Sequence, residues 1–128
     1  MRRYQLLASM IVYGSASLVH FVHNAIYLDA YPNMPEWLTP SGVMAAWLAI
    51  ASTGVVGYWL FSRGATKAGL VVMALYAALG FAGLDHYAVA PVSAHSLAMS
   101  ATIVTEVAAA SVLLVVIAWT ALRSATAP

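Results

Sequence analysis

The sequence predicts an all-α integral membrane protein, an up-down bundle of four transmembrane helices. Charged residues form only 7% of its 128 residues and hydrophobic residues 63%, whereas charged residues make up about a quarter of an ordinary soluble domain. Four mostly apolar segments reach the length of about 20 residues that crosses a hydrocarbon core. At this length we expect one domain, residues 1–128.

The four predicted helices follow one another through short connections. They cover about residues 5–28, 41–62, 68–89 and 94–122. The first connection is a proline-rich loop that carries Trp37, which is typical of a membrane interface. The second is a tight turn at Gly64, and the third places Pro91 before the last helix, where proline suits a helix start.

Basic residues occur only at the two termini and in the Gly64 turn. They are Arg2, Arg3, Arg63, Lys67 and Arg123. The positive-inside rule therefore predicts that both termini are cytoplasmic and that the acidic loops face outward. The expected location is a bacterial inner (plasma) membrane, with any site facing the periplasm. The apolar stretch after Arg3 is longer than the core of a signal peptide, so we expect an uncleaved first helix.

Polar side chains, with two glycines among them on the third helix, recur on one face of three predicted helices. On the first helix they follow steps of three and four residues, within about 60° of one line. The members are Tyr13, Ser17, His20, Asn24, Tyr27 and Tyr31 on the first helix, Tyr76, Gly80, Gly83 and Tyr87 on the third, and His95, Met99, Thr102 and Glu106 on the last. Polar faces of spanning helices should point into the bundle, away from lipid.

Two ionisable residues on different helices are predicted to share one depth. His20 precedes Asp29 by nine residues and Glu106 follows His95 by eleven, which places both about 14 to 16 Å below the outer surface, near the midplane of a ~30 Å core. An isolated charge there costs roughly 2.5 kcal/mol or more. We therefore expect Glu106 to be protonated, hydrogen-bonded to His20 or Asn24, or bound to a cation. A network that only fixes helix register is the alternative.

These residues predict a metal site with nitrogen and oxygen ligands. The candidate ligands are His20, His23, Glu106, His95, His86 and Asp85, and the supporting residues are Asn24, Tyr27, Met99 and Thr102. The chain has no cysteine, and such ligands suit Cu(II), Fe or Zn, while a methionine adds affinity for Cu(I). A haem b between two histidines is the weaker alternative, because the predicted depths of His20 or His23 and of His86 differ.

No sequence motif identifies a reaction, so the catalytic residues and any residues that bind an organic cofactor stay unknown. The chain lacks the HExxH motif of zinc peptidases and the Glu-x-x-His motif of di-iron bundles. Scattered basic residues and a net charge of +1 argue against a nucleic-acid partner.

Three functions stay open from the sequence. The first is a metal-binding membrane protein, catalytic or metal-holding, with the site open to the outer face. The second is a non-catalytic subunit of a larger membrane redox or transport complex. The third is a proton or small-substrate pathway, or an acid–base lipid enzyme, that uses Glu106 and His20. The expected partners are the lipid bilayer and either further copies of the chain or a larger complex.

Overall fold

A computed structural model describes residues 2–125. The helices are α1 (Arg2–Ile26), α2 (Pro40–Ser62), α3 (Thr66–Leu79), α4 (Asp85–Val89) and α5 (Leu97–Ala125). Residues 1 and 126–128, at the ends of the predicted domain, lie outside the described residues, as does the side chain of Arg2 from the predicted basic set.

Four helical stretches in the described part of the chain are long and apolar enough to cross a membrane. The shortest has 23 residues and the longest 28, so they extend about 35 to 42 Å, more than the ~30 Å hydrocarbon core. A 3₁₀ turn, Gly80–Leu84, joins α3 and α4 into one of these stretches. The predicted four-helix bundle is thereby confirmed, and its assignment to a membrane rests on helix length and composition.

At two of the predicted helix ends, local turns replace the helix. α1 ends at Ile26 rather than at residue 28, since Leu28–Ala30 tighten into a 3₁₀ turn. α5 begins at Leu97 rather than at residue 94. The Ser96 hydroxyl accepts a hydrogen bond from the Met99 backbone N–H at 3.2 Å, so Ser96 acts as the N-cap.

The helices pack as neighbours around the bundle. α1 lies between α2 and α5, and α3 contacts both α2 and α5. Small residues allow α2 and α3 to approach closely. A Cβ atom at Gly69 would lie 2.5 Å from the Phe61 backbone nitrogen, and one at Gly57 would lie 2.7 Å from the Met73 side chain.

The interior divides into two halves of different chemistry. The half that carries the basic residues, here called the basic half, buries mainly apolar side chains. They include Leu6, Phe61, Leu70, Met73, Leu113 and Ile117. The other half, from Ser17 and Glu106 to the loop after α1, buries histidine, asparagine and glutamate side chains. We call it the histidine half.

Candidate functional site: a buried histidine–glutamate column

The polar faces of α1 and α5 point into the bundle, as predicted. His20 and Glu106 are each 2% exposed, and Asn24 is buried as well. α1 and α5 pack directly against each other, which the sequence did not decide. The two residues that were predicted to share one depth therefore meet.

His20 and Glu106 form the deepest polar contact of the site. The His20 Nε2 atom lies 3.8 Å from the Glu106 Oε2 atom, which is too long for a hydrogen bond. Gly83, in the 3₁₀ turn after α3, borders the same carboxylate oxygen, and a Cβ atom at Gly83 would lie 3.3 Å from it. Glycine at this position leaves space beside the carboxylate.

Thr102 sets the orientation of the His20 ring. Its hydroxyl donates to the Met99 carbonyl at 2.9 Å, so its oxygen accepts from His20 Nδ1 at 3.2 Å. The hydrogen-bond network thus assigns the His20 proton to Nδ1. The lone pair on Nε2 then faces Glu106, and metal-bound histidines are fixed in the same way by a partner on the other ring nitrogen.

His86 and His95 extend this contact toward the outer loops. The His86 ring centroid lies 5.5 Å from that of His20 and 6.2 Å from that of His95. The Asn24 side-chain nitrogen donates to His86 Nε2 at 3.2 Å. Glu106, His20, His86 and His95 therefore form a continuous row, here called the polar column.

His95 presents a second available ring nitrogen. Its Nδ1 donates to the Pro91 carbonyl at 3.1 Å, because a carbonyl oxygen can only accept. Its Nε2 atom is buried and has no hydrogen-bond partner within the described residues. Like His20, this imidazole is held through one nitrogen and keeps a lone pair on the other.

His23, a predicted ligand, turns away from the polar column toward Tyr31. His23 Nδ1 and the Tyr31 hydroxyl are 2.9 Å apart. Tyr31 lies just after α1, is 3% exposed, and its ring centroid is 5.0 Å from that of His86. Burial raises the pKa of Tyr31 above its ordinary value of 10.0, so the neutral phenol donates to His23. Tyr31 stood on the predicted stripe without an assigned role.

Three other predicted site residues lie beside the column rather than in it. Asp85 is exposed and lines a pocket of about 310 Å³ that also contacts Asn24 and His86. Tyr27 is half-exposed and packs on the His23 ring. The Met99 sulfur accepts from the Ser96 backbone N–H at 3.4 Å and so faces the start of α5.

Among residues 2–125, no group of three or more histidine, aspartate or glutamate side chains is placed to hold a metal ion. The six predicted ligands therefore do not form one coordination sphere in this structure. They form neighbouring pairs along the polar column, with His23 and Asp85 at its side. Metal binding by these residues stays a prediction.

In the described part of the chain, the buried side-chain atoms that have no hydrogen-bond partner lie in the polar column or beside it. They are Ser17 Oγ, Asn24 Oδ1, His95 Nε2 and Glu106 Oε2. Buried polar atoms are nearly always paired, and exceptions indicate an ion, a water or a catalytic role. Ser17 and Asn24 lie on α1, Glu106 lies on α5, and His95 lies just before α5. Ser17 is also close enough to Glu106 for the two side chains to interact, so Asn24 and His95 give the clearest indication that this region fits a polar ligand.

Two tyrosines lie next to the column on the side of the basic half. The Tyr13 hydroxyl donates to the Tyr76 carbonyl at 3.2 Å, and the two ring centroids are 4.6 Å apart. Gly80 makes room for Tyr13, since a Cβ atom there would lie 2.7 Å from the Tyr13 ring. Both tyrosines stood on predicted polar faces, but the spacing did not show that they contact each other.

Comparison with protein-family models, curated proteins and solved structures found no match for this chain. The functional argument therefore depends on the geometry of the polar column.

Proposed function

We propose that the protein is an integral membrane protein that binds a transition metal ion, Cu, Fe or Zn, between His20 and Glu106. The observation that carries this proposal is the 3.8 Å separation of His20 Nε2 and Glu106 Oε2. Ligand nitrogen and oxygen atoms each lie about 2.0 to 2.2 Å from zinc, so two of them stand up to about 4 Å apart across one ion. A direct hydrogen bond would be shorter, at about 2.7 to 3.2 Å.

The donor chemistry of the column supports a transition metal. Imidazole nitrogen and carboxylate oxygen without thiolate suit Zn, Fe or Cu(II). His86 would become a third ligand if its Nε2 atom released Asn24, since two imidazoles on one ion have ring centroids roughly 5 Å apart and the His20 and His86 centroids are 5.5 Å apart. A bound ion would act as a Lewis acid or, for Cu and Fe, as a redox centre.

The pocket beside His86 supports entry of a cation from the outer side. It lies between the loop after α1 and α4, and its lining includes Asn24, Asn33 and the exposed carboxylate Asp85. Acidic groups at the mouth of a cleft raise the local concentration of cations. Under the positive-inside rule this mouth faces the periplasm.

Metal binding is tested on the purified protein by elemental analysis and by titration with Zn²⁺ or Cu²⁺. We expect one ion per chain, and at least a hundredfold weaker binding in His20→Gln and Glu106→Gln, because each removes a ligand. His23→Gln is the matched control, since His23 contacts Tyr31 instead of the column. A protein that is purified without metal and binds none on titration would disprove the proposal. Equal losses of metal affinity in all three variants would also disprove it.

The proposed orientation has a separate test, because the chain contains no cysteine. Single-cysteine variants Glu36→Cys and Ser62→Cys place one thiol in the loop before α2 and one at the last residue of α2. In intact cells a membrane-impermeant maleimide should label the first and leave the second unmodified. The reverse labelling pattern would overturn the orientation.

A second candidate function is proton transfer by Glu106 and His20, and the burial of both side chains within 3.8 Å of each other favours it. A histidine and a carboxyl group suit general acid–base work. In liposomes with an imposed pH gradient, Glu106→Gln and His20→Ala should abolish proton flux. Unchanged flux in both variants would remove this candidate.

A further inference from the structure

The basic-half ends of α2 and α5 carry the same pair of side chains at the same spacing. Trp59 precedes Arg63, and Trp119 precedes Arg123, by four residues, so each pair shares one helix face. The Arg63 guanidinium carbon lies 5.5 Å from the centroid of the Trp59 ring, and that of Arg123 lies 4.3 Å from the Trp119 centroid. Both contacts are cation–π interactions.

Each tryptophan also lines a groove on the outside of the bundle. The first groove, of about 390 Å³, lies between α1 and α2 and includes Trp59. The second, of about 740 Å³, lies beside α5 and includes Gln5, Trp119 and Arg123. The two grooves therefore flank α1 at the same end of the bundle, and each is lined by the tryptophan of one Trp–Arg pair.

The first groove has the length and lining that suit a hydrocarbon chain. It follows α2 from Ala51 to Ser62, eleven residues or about 16 Å, which is roughly half of a ~30 Å hydrocarbon core. Leu7, Ile11 and Val55 form its apolar walls. The length of the groove thus corresponds to the thickness of one leaflet of a bilayer.

The positive charge at the basic-half end of the bundle favours the binding of an anion. The four carboxylate side chains of the sequence, Asp29, Glu36, Asp85 and Glu106, all belong to the histidine half. A guanidinium group presents a planar set of donors that matches phosphate oxygens, and basic pockets between spanning helices bind the head groups of anionic lipids.

We propose that the two Trp–Arg pairs are binding sites for anionic phospholipids. In each site the guanidinium holds the lipid phosphate, the tryptophan ring lies at the level of the glycerol, and one acyl chain occupies the groove. These sites are independent of the polar column and of any metal that it binds.

The test is native mass spectrometry of the full-length protein in detergent, titrated with phosphatidylglycerol or phosphatidylcholine. We expect two phosphatidylglycerol molecules per chain, held more tightly than phosphatidylcholine. Arg63→Gln and Arg123→Gln should each weaken one site about fivefold, as loss of one basic contact predicts. Arg3→Gln removes the same charge at the same end without a tryptophan partner, and should change binding less than twofold. Equal retention of both lipids, or equal losses in the three variants, would overturn the proposal.

A second pair of variants tests whether an acyl chain of the lipid occupies the first groove. Ala51→Phe and Ile11→Phe fill the first groove without changing charge, and each should remove one of the two bound phosphatidylglycerol molecules. Ile11 is 60% exposed, so its substitution leaves the packed interior intact. Binding of glycerol 3-phosphate as tight as that of phosphatidylglycerol would show a phosphate site alone, and full lipid retention in both variants would show that the groove is not used. Either result would overturn the phospholipid assignment.

Discussion

The two halves of the bundle treat buried polar groups in opposite ways. In the basic half, the buried hydroxyls of Ser9 and Thr120 donate to carbonyls of their own helices at 2.9 and 2.7 Å. In the histidine half, Asn24, His95 and Glu106 each keep a buried atom without a partner among the described residues. Since burial without a partner costs free energy, we infer that the histidine half is built for a ligand and the basic half for packing.

Glycine also has a different role in each half. Gly69 lets the backbones of α2 and α3 meet, with Phe61 as its nearest neighbour. Gly83 instead borders a carboxylate oxygen of Glu106. Substitutions at the packing positions should therefore change stability, and substitutions around the column should change ligand binding.

The largest expected effect is on the stability of the basic half. Gly69→Leu should lower the free energy of unfolding by about 3 kcal/mol or more, because the added side chain forces α2 and α3 apart. Unfolding in sodium dodecyl sulfate, followed by circular dichroism, measures this loss. Ala68→Leu is the matched control, since Ala68 is exposed, and it should leave stability unchanged. Equal stability of the two variants would contradict the assigned role of Gly69.

In the histidine half, removal of the His20–Glu106 pair should abolish ligand binding without lowering the stability of the protein. The double variant His20→Leu with Glu106→Leu should lose metal binding entirely, while its stability stays equal or rises by about 1 to 4 kcal/mol. Metal titration and the same unfolding experiment measure the two quantities. A loss of more than about 2 kcal/mol of stability would mean that the pair mainly holds the bundle together.

A smaller effect, on metal affinity, is expected from a substitution that changes only the orientation of the His20 ring. Thr102→Val removes the acceptor for His20 Nδ1, so metal affinity should fall about 10- to 100-fold, as for other residues that orient a metal-bound histidine. Thr105→Val provides the control on the same helix, because Thr105 is exposed. Unchanged affinity in Thr102→Val would show that the ring is oriented without this contact.

The smallest effect concerns Tyr31 at the outer end of the column. Tyr31→Phe should cost about 1 kcal/mol of stability at neutral pH through loss of the hydrogen bond to His23. Burial raises the pKa of Tyr31 above 10.0, so the folded state holds this proton more tightly than the unfolded state, and the advantage is lost as pH rises above 10. The stability difference between wild type and variant should therefore shrink above pH 10. A difference that grows there would contradict the assigned burial.

Most of the fold could be predicted from the sequence. Apolar length determines the four spans, and their bounds differ from the prediction by only a few residues. The differences arise where a local hydrogen bond competes with the helix, as at Ser96, or where the backbone tightens into a 3₁₀ turn at Leu28–Ala30 and Gly80–Leu84. The hydropathy pattern contains little information about such local hydrogen bonds and turns, so it predicts helix ends less well than helix positions.

The candidate site could be predicted only in part. The helical rise placed His20 and Glu106 at one depth, and their contact confirms it. Periodicity placed His20 on the polar face of the first helix and left His23 outside it, but both were predicted to be ligands. The structure separates the two histidines through Tyr31, which follows the end of α1 and forms a hydrogen bond with His23.

By itself the sequence determined the four long apolar helices, the separation of basic from acidic and histidine residues, and the polar face of the first, third and last helices, since these depend on composition and helical period. Only the tertiary structure decided that α1 packs on α5, that His86 and His95 continue the row begun by His20, and that glycines make room for Tyr13 and Glu106. The physical reason is that a spacing along one helix fixes direction and depth. The neighbour met at that depth depends on how the helices pack.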